Sequence, residues 1–444
     1  MLATLGAFVL YLLTLAPTVT WRNGGSDGAE LATAAYVWGV PHPPGYPLYL
    51  ILVRLVQVLP AGDLAHRAAL FSAVAGALSV GLVYATVVRL LGSDGWRPRV
   101  AALFAALLFA TAPLVWSQSV VAEVYSLGEL LLGGFLLCLA TWVRQPSLRS
   151  AVATTTALSL LAAHQPPLGA AFIPLAVLAA RERMSLRDWL TASLPLLLIP
   201  LLFGTLWLRA IFDPPLNWGS VSTLDRLISH VTAQDYRGYF VARPFVDELP
   251  RVPAAAALLV RQTHLVGAFL AVLGGVWLWT ERRSFALAGL PIAALLAIFT
   301  VLYNAENGEV YLLPTVQLFS VAAGVGAAWV LWAFDGIPLA AICAGLAALL
   351  LWRVPSTWPE VDVSHDVEAR QWGESTLASA PAQAVLRTNR DEDTFVLWYL
   401  HIAEGVRPDV YVVDDRLLAL AWYREQLARL DPRLLELPNA ISTR

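Results

Sequence analysis

Apolar runs bounded by charge or by Pro and Gly recur along this chain at about 2–17, 66–90, 99–114, 128–143, 150–163, 167–180, 189–211, 258–280, 284–302, 311–334 and 336–352. Nothing else in the sequence constrains the fold as strongly. In lipid, every backbone N–H and C=O must find a partner within the protein, so runs near the ~20 residues needed to cross a bilayer become helices. They predict an all-α polytopic membrane protein of about eleven spans. Composition agrees: 58% of residues are hydrophobic and 14% charged, against about 25% charged in soluble domains. The net charge of −3 provides no nucleic-acid footprint. The first run, Met1–Pro17, lacks the basic segment and small-residue cleavage site of a signal peptide, and reads as a retained span.

All 29 basic residues are arginines. That excludes a Schiff-base lysine and a Walker-type phosphate loop, both of which need the amine. Cys138 and Cys343 sit inside apolar runs, so a disulfide framework, a thiol nucleophile and a cysteine-based zinc site are not expected. Arginine bias orients the spans. Arg89, Arg97 and Arg99, Arg144 and Arg149, Arg181, Arg183 and Arg187, and Arg282 and Arg283 fall in connections on one side, read as cytoplasmic. The opposite connections at 115–127, 164–166 and 303–310 have none. The turn at Asp335–Gly336 contributes no cation to the arginine side. The extracytoplasmic side then receives the loop at 18–65, the segment 213–257 and everything after about 354. Within the first of these, PPGYPLYLILVRLVQVLP (43–60) is short and bracketed by prolines, and reads as a helix lying along the surface.

Two regions follow. Residues 1–353 form the membrane domain. Residues 354–444 hold no membrane-length run. There AVLRTN, TFVLWYLHIAEG, DVYVVDD and AWYREQLARL alternate as strand, helix, strand, helix, predicting a small extracytoplasmic α/β domain. It lacks G-x-G-x-x-G, so no nucleotide is assigned to it.

Ionisable residues are scarce in the spans and gather on the outer side, where groups near lipid are costly and usually functional. Asp27 and Glu30 lie in a Gly-broken loop, GSDGAEL, ahead of a helix-like stretch. They fit a rigidly placed carboxylate, and equally an N-cap with its capping box. His42 and Tyr46 lie in the stiff segment PHPPGYP. Glu123 and Tyr125 stand at the mouth of two spans, His164 and Gln165 at another outer turn, and Asn304, Glu306 and Glu309 at a third. The segment 213–257 sets Arg226, His230, Arg237 and Arg243 among aromatics, a pattern of an interfacial belt or of a phosphate-binding wall. No H-x-x-x-H spacing occurs, and no metal or other cofactor is expected.

GSDGAEL, GVPHPPGYPLY, HRAALFSAVAGAL, WSQSVVAEVYSL and TFVLWYLHIAEGVRPDVYVVD together resemble a family of bacteria and animals whose animal member is a transmembrane protein O-mannosyltransferase acting on plexins. The resemblance implies a GT-C type glycosyltransferase taking sugar from a polyprenyl-phosphate carrier, and the all-arginine, Ala- and Leu-rich composition points to a bacterial inner membrane. It implies an essential carboxylate in the first external loop, here Asp27. By the same resemblance Glu30, His42, Glu123 and His164 match motif positions and, with Tyr46, Tyr125, Gln165, Arg237 and Arg243, are expected to bind substrate. The sugar, with mannose as candidate, and the acceptor (protein, glycan or lipid) stay open. A transporter or flippase of lipid-linked sugars is the alternative. Against it, transporters place ionisable residues near the midplane rather than at one surface.

Overall fold

The structure, a computed structural model, describes residues 1–93, 95–180, 185–239, 245–303, 307–435 and 441–442. Arg181, Arg183, Arg243, Asn304 and Glu306 lie outside the described residues.

Every apolar run named above becomes helix. The chain opens with α1 (Leu2–Leu13), the short α2 (Gly28–Tyr36) and α3 (Pro47–Val56), then α4 (Leu64–Leu91) and α5 (Trp96–Ala110). A single-turn α6 (Pro113–Gln118) leads into α7 (Tyr125–Arg144), α8 (Leu148–His164) and α9 (Pro166–Ala180). Next come α10 (Leu186–Ser193), α11 (Leu198–Ile211), α12 (Leu224–Val231) and α13 (Phe245–Glu248). The bundle closes with α14 (Arg251–Glu281), α15 (Arg283–Leu302), α16 (Leu313–Ala333) and α17 (Gly336–Val361). Seven helical stretches among the described residues are long and apolar enough to cross a membrane. They are residues 64–91, 125–144, 186–211, 251–281, 285–302, 308–333 and 336–361. The other four runs, in α1, α5, α8 and α9, form shorter helices. With ten residues, α3 is about 15 Å long at ~1.5 Å per residue and cannot cross a bilayer.

The helices pack by small residues. A Cβ on Gly274 of α14 would stand 1.8 Å from the Ala322 carbonyl oxygen of α16, and one on Gly326 1.9 Å from that of Leu270. The two backbones therefore touch, as small-residue stripes in membrane helices allow. His264 (φ 60°) breaks α14. Near the break the Arg353 guanidinium, buried on α17, donates to the carbonyl oxygens of Gln262 at 2.8 Å and Thr111 at 2.9 Å. The guanidinium thereby satisfies the Gln262 carbonyl that the break in α14 frees.

Three of the four arginine-bearing connections meet at one end of the bundle. Arg144 donates to the Arg89 carbonyl oxygen at 2.5 Å and Arg282 to that of Leu90 at 3.2 Å, while Arg97 pairs with Asp335. The turn that carries no cation of its own thus belongs to the same end.

Beyond α17, α18 (Glu368–Ser379) precedes β1 (Val385–Thr388), α19 (Asp391–Trp398), β2 (Tyr411–Asp414), α20 (Ala421–Leu430) and β3 (Ile441–Ser442). The strands are parallel in the order β2-β1-β3, with Val385 opposite Tyr411 and Leu386 opposite Ile441. This unit sits on the loops opposite the arginine end. Arg370 of α18 bridges Asp63 of the membrane part, at 2.9 Å, to Glu404, at 2.7 Å. Arg226 pairs with Glu425 at 2.9 Å. Trp218 inserts its ring beside Phe395, Trp398 and Trp422, with centroids 6.2, 6.5 and 5.6 Å away.

Candidate active site

Between the α/β unit and the bundle lies a cavity of about 850 Å³. One part of its wall is apolar: Leu168 and Ala171 from α9, and Leu295, Leu296, Ile298 and Leu302 from α15. The rest is polar and aromatic, with Asp27, His42, Tyr46, Tyr125, Tyr236, Arg237 and Tyr311 from the membrane part, and Asp391, Glu392 and Arg416 from the α/β unit.

A tight turn over Arg22–Asp27, with Asn23 and Gly24 at positive φ, presents Asp27. Its backbone is held from several sides: Gln118 donates to the Asn23 carbonyl at 2.6 Å, Asn23 to that of Val361 at 2.8 Å, and Arg22 to that of Asp362 at 2.9 Å. Gly28 follows because a Cβ there would stand 2.5 Å from the Ala122 carbonyl oxygen. The Asp27 side chain makes no capping hydrogen bond to α2. Of the two readings left open by the sequence, the capping box is therefore not the one adopted. The carboxylate instead lines the cavity, 41% exposed.

Glu30 has turned the other way. Wholly buried, it accepts from the His42 backbone N–H at 2.8 Å through one oxygen, and its second lies 2.5 Å from His42 Nδ1. Ring and backbone of one residue are thus gripped by one carboxylate, leaving His42 Nε2 directed at Asp27, 3.8 Å away. The segment that follows, with a cis Pro43–Pro44 bond, packs against His230: a Cβ on Gly45 (φ +93°) would stand 3.0 Å from its ring.

Charge follows geometry. Burial disfavours the His42 cation, but Glu30 and then Asp27 outweigh it, and its pKa stands at about 10. Burial raises the Asp27 carboxyl; His42 opposes that rise and Asp391 adds to it. Burial, together with Asp27, holds Glu123 well above the ordinary carboxylate range. Three carboxyl groups thus surround one imidazolium.

Of the residues singled out in the sequence, Asp27, His42, Tyr46, Tyr125, Gln165 and Arg237 line the cavity. Glu30, Glu123 and His164 do not; they stand behind that wall. His164, fully buried, meets the Val124 carbonyl at 2.9 Å through Nε2 and packs under Tyr46. Glu123 accepts from the Val124 N–H at 3.3 Å. Arg243 lies outside the described residues. Arg226 is committed to Glu425. The sequence reading missed Glu129, Tyr311, Asp391 and Arg416, while Tyr236 was among the aromatics it set beside the arginines of 213–257. Glu129 carried a signal, an acid inside an apolar run; Asp391 and Arg416 had none, because only the docking of the α/β unit brings them here.

The fold is that of the multi-spanning GT-C glycosyltransferases. ArnT from Cupriavidus metallidurans, solved bound to undecaprenyl phosphate, superimposes with a TM-score of 0.58 at 14% identity, covering 95% of this chain and 90% of that one. The Archaeoglobus fulgidus oligosaccharyltransferase gives 0.50 at 16% identity, over 96% and 68%. More particularly, residues 27–180 match the Protein O-mannosyl-transferase TMEM260 N-terminal domain and residues 369–436 match TMEM260-associated domain 2, and the chain belongs to that family. It is 28% identical over 443 residues to mouse Protein O-mannosyl-transferase TMEM260, and 23% identical over 480 residues to the Dictyostelium discoideum protein of the same name. These alignments take in 91% and 94% of the chain but 61% and 57% of the relatives, so the chain spans about three fifths of their length.

Proposed function

We propose that the chain is an inverting glycosyltransferase that moves a sugar, mannose by its family, from a polyprenyl-phosphate carrier to a hydroxyl group, with a protein side chain as the favoured acceptor. One observation carries the reading: a single cavity joins an apolar wall between α9 and α15 to a rigidly held carboxylate and imidazole. A lipid-linked sugar needs both, a groove for its tail and a polar chamber for its head.

In this reading Asp27 takes the proton from the acceptor hydroxyl as its oxygen attacks the anomeric carbon. The bond from that carbon to the phosphate oxygen breaks, and polyprenyl phosphate leaves as an anion that needs no acid. Arg237, on the cavity wall with no ion pair among the described residues, stabilises it. His42 keeps Asp27 ionised beside the acceptor. No metal takes part in the transfer proposed here. The gathering of polar groups at one end of the bundle favours chemistry on a head group over passage through it.

The reading also places the cavity on the extracytoplasmic face of a bacterial inner membrane, following the arginine bias of the opposite end. Cysteines placed in the 18–65 loop should react with impermeant reagents from outside; labelling only from the cytosol refutes that placement. The function is tested by Asp27→Asn in membranes given labelled polyprenyl-phosphate mannose. Transfer should drop by roughly 10²- to 10⁴-fold. Undiminished transfer in a folded variant removes Asp27 as the base. Mass comparison of glycoproteins from wild-type and deletion strains then identifies the acceptor.

A further inference from the structure

Glu129 has no role in the mechanism above, yet its position is unusual. It lies one turn inside α7, a membrane-crossing helix, 4% exposed, and lines the cavity. Oε2 is buried without a partner, and no ion pair or side-chain hydrogen bond of Glu129 occurs among the described residues. Its backbone carbonyl accepts from Gln317 at 3.1 Å. A buried carboxyl left unpaired in a span costs stability, and such residues are retained for a ligand or a pathway.

Which ligand group fits is decided by charge and hydrogen-bond capacity. Among the described residues no guanidinium or imidazole pairs with Glu129, so a phosphate, which offers only acceptors and negative charge, is mismatched there. A sugar hydroxyl both donates and accepts, and so suits a carboxyl group in either state. Gln165 strengthens the match. Its amide lies over Gly128, where a Cβ would come within 2.9 Å of Gln165 Oε1, and it lines the same cavity with no side-chain hydrogen bond among the described residues. The phosphate-matching groups, Arg237 and His42, are separate members of the wall.

We propose that Glu129, with Gln165 beside it, is the subsite for the hydroxyl groups of the donor's sugar ring. The assignment rests on the glycosyltransferase reading and specifies which part of the donor this wall holds. Glu129 is then a specificity-determining residue: it gains its missing partner only when the glycosylated carrier is bound.

The test uses the full chain in nanodiscs and two probes, polyprenyl-phosphate mannose and sugar-free polyprenyl phosphate. Glu129→Leu should weaken binding of the glycosylated carrier by about tenfold and leave the sugar-free carrier unaffected. Its Tm should rise, because an unpaired buried acid has been removed from a helix in lipid. Glu129→Gln, which keeps an acceptor and a donor, should retain most of the affinity. Equal loss for both probes, no loss for either, or a lowered Tm in Glu129→Leu overturns the assignment while leaving the function intact. Wild-type protein that binds neither probe overturns the glycosyltransferase reading, and this one with it.

Discussion

The two oxygens of Glu30 hold His42 at two points, 2.8 Å from its backbone nitrogen and 2.5 Å from Nδ1. Because α2 carries Glu30 within one turn of Asp27, the same short helix fixes both the carboxylate at the cavity and the ring that faces it. The imidazole cannot turn without losing a buried charge-assisted bond.

Glu30→Gln preserves the shape of that grip and removes its charge. Transfer should drop about 10- to 100-fold in kcat, the range expected when a hydrogen bond to a charged group is weakened. The KM for donor should change little, since Glu30 does not touch the cavity. Steady-state kinetics on the purified variant check the split; a change confined to KM would place Glu30 in contact with substrate instead.

The pH profile follows from the same pair. Asp27 acts as a base only when deprotonated, and its carboxyl is raised by burial, so transfer should increase with pH along a limb above the ordinary carboxylate value of about 3.9. His42 supports the anion only while protonated, so transfer should fall again as pH passes about 10. His42→Gln should abolish the alkaline limb and move the acid limb upward, because the cation that lowers the Asp27 pKa is gone. Rates from pH 4 to 11 on both proteins decide it; an unchanged profile in His42→Gln excludes the coupling.

Arg370 ties the α/β unit to the membrane part through Asp63 and Glu404, and the same unit brings Asp391 and Arg416 to the cavity. Arg370→Met should loosen that docking by about 1–2 kcal/mol, since the guanidinium is partly buried and shared by three carboxylates, Asp63, Glu374 and Glu404. Proteolysis between α17 and α18 should accelerate, and donor affinity should decrease even though residue 370 is not in the wall. Wild-type proteolysis rates would show that the aromatic contacts of Trp218 suffice for docking.

The amino-acid sequence by itself determined that the apolar runs are helical, though seven rather than eleven of the stretches among the described residues are long enough to cross a membrane; it also determined the alternation of strand and helix after them and the end of the bundle where polar residues collect. Lipid tolerates few alternatives for an apolar run, so hydropathy alone settles such elements. Asp27, His42, Tyr46 and Arg237 stood out as well, being polar residues near lipid, although a helix cap accounted equally for Asp27 and an interfacial belt for Arg237. What only the tertiary structure decided is which of them face a ligand. Glu30, Glu123 and His164 carry the same chemical signal as Asp27 yet stand behind the wall, because side-chain direction depends on how α2, the turn before α7 and the end of α8 pack. Asp391 and Arg416 reach the cavity across more than 360 residues of chain from Asp27, through interdomain ion pairs and aromatic contacts that leave no periodic trace in a sequence.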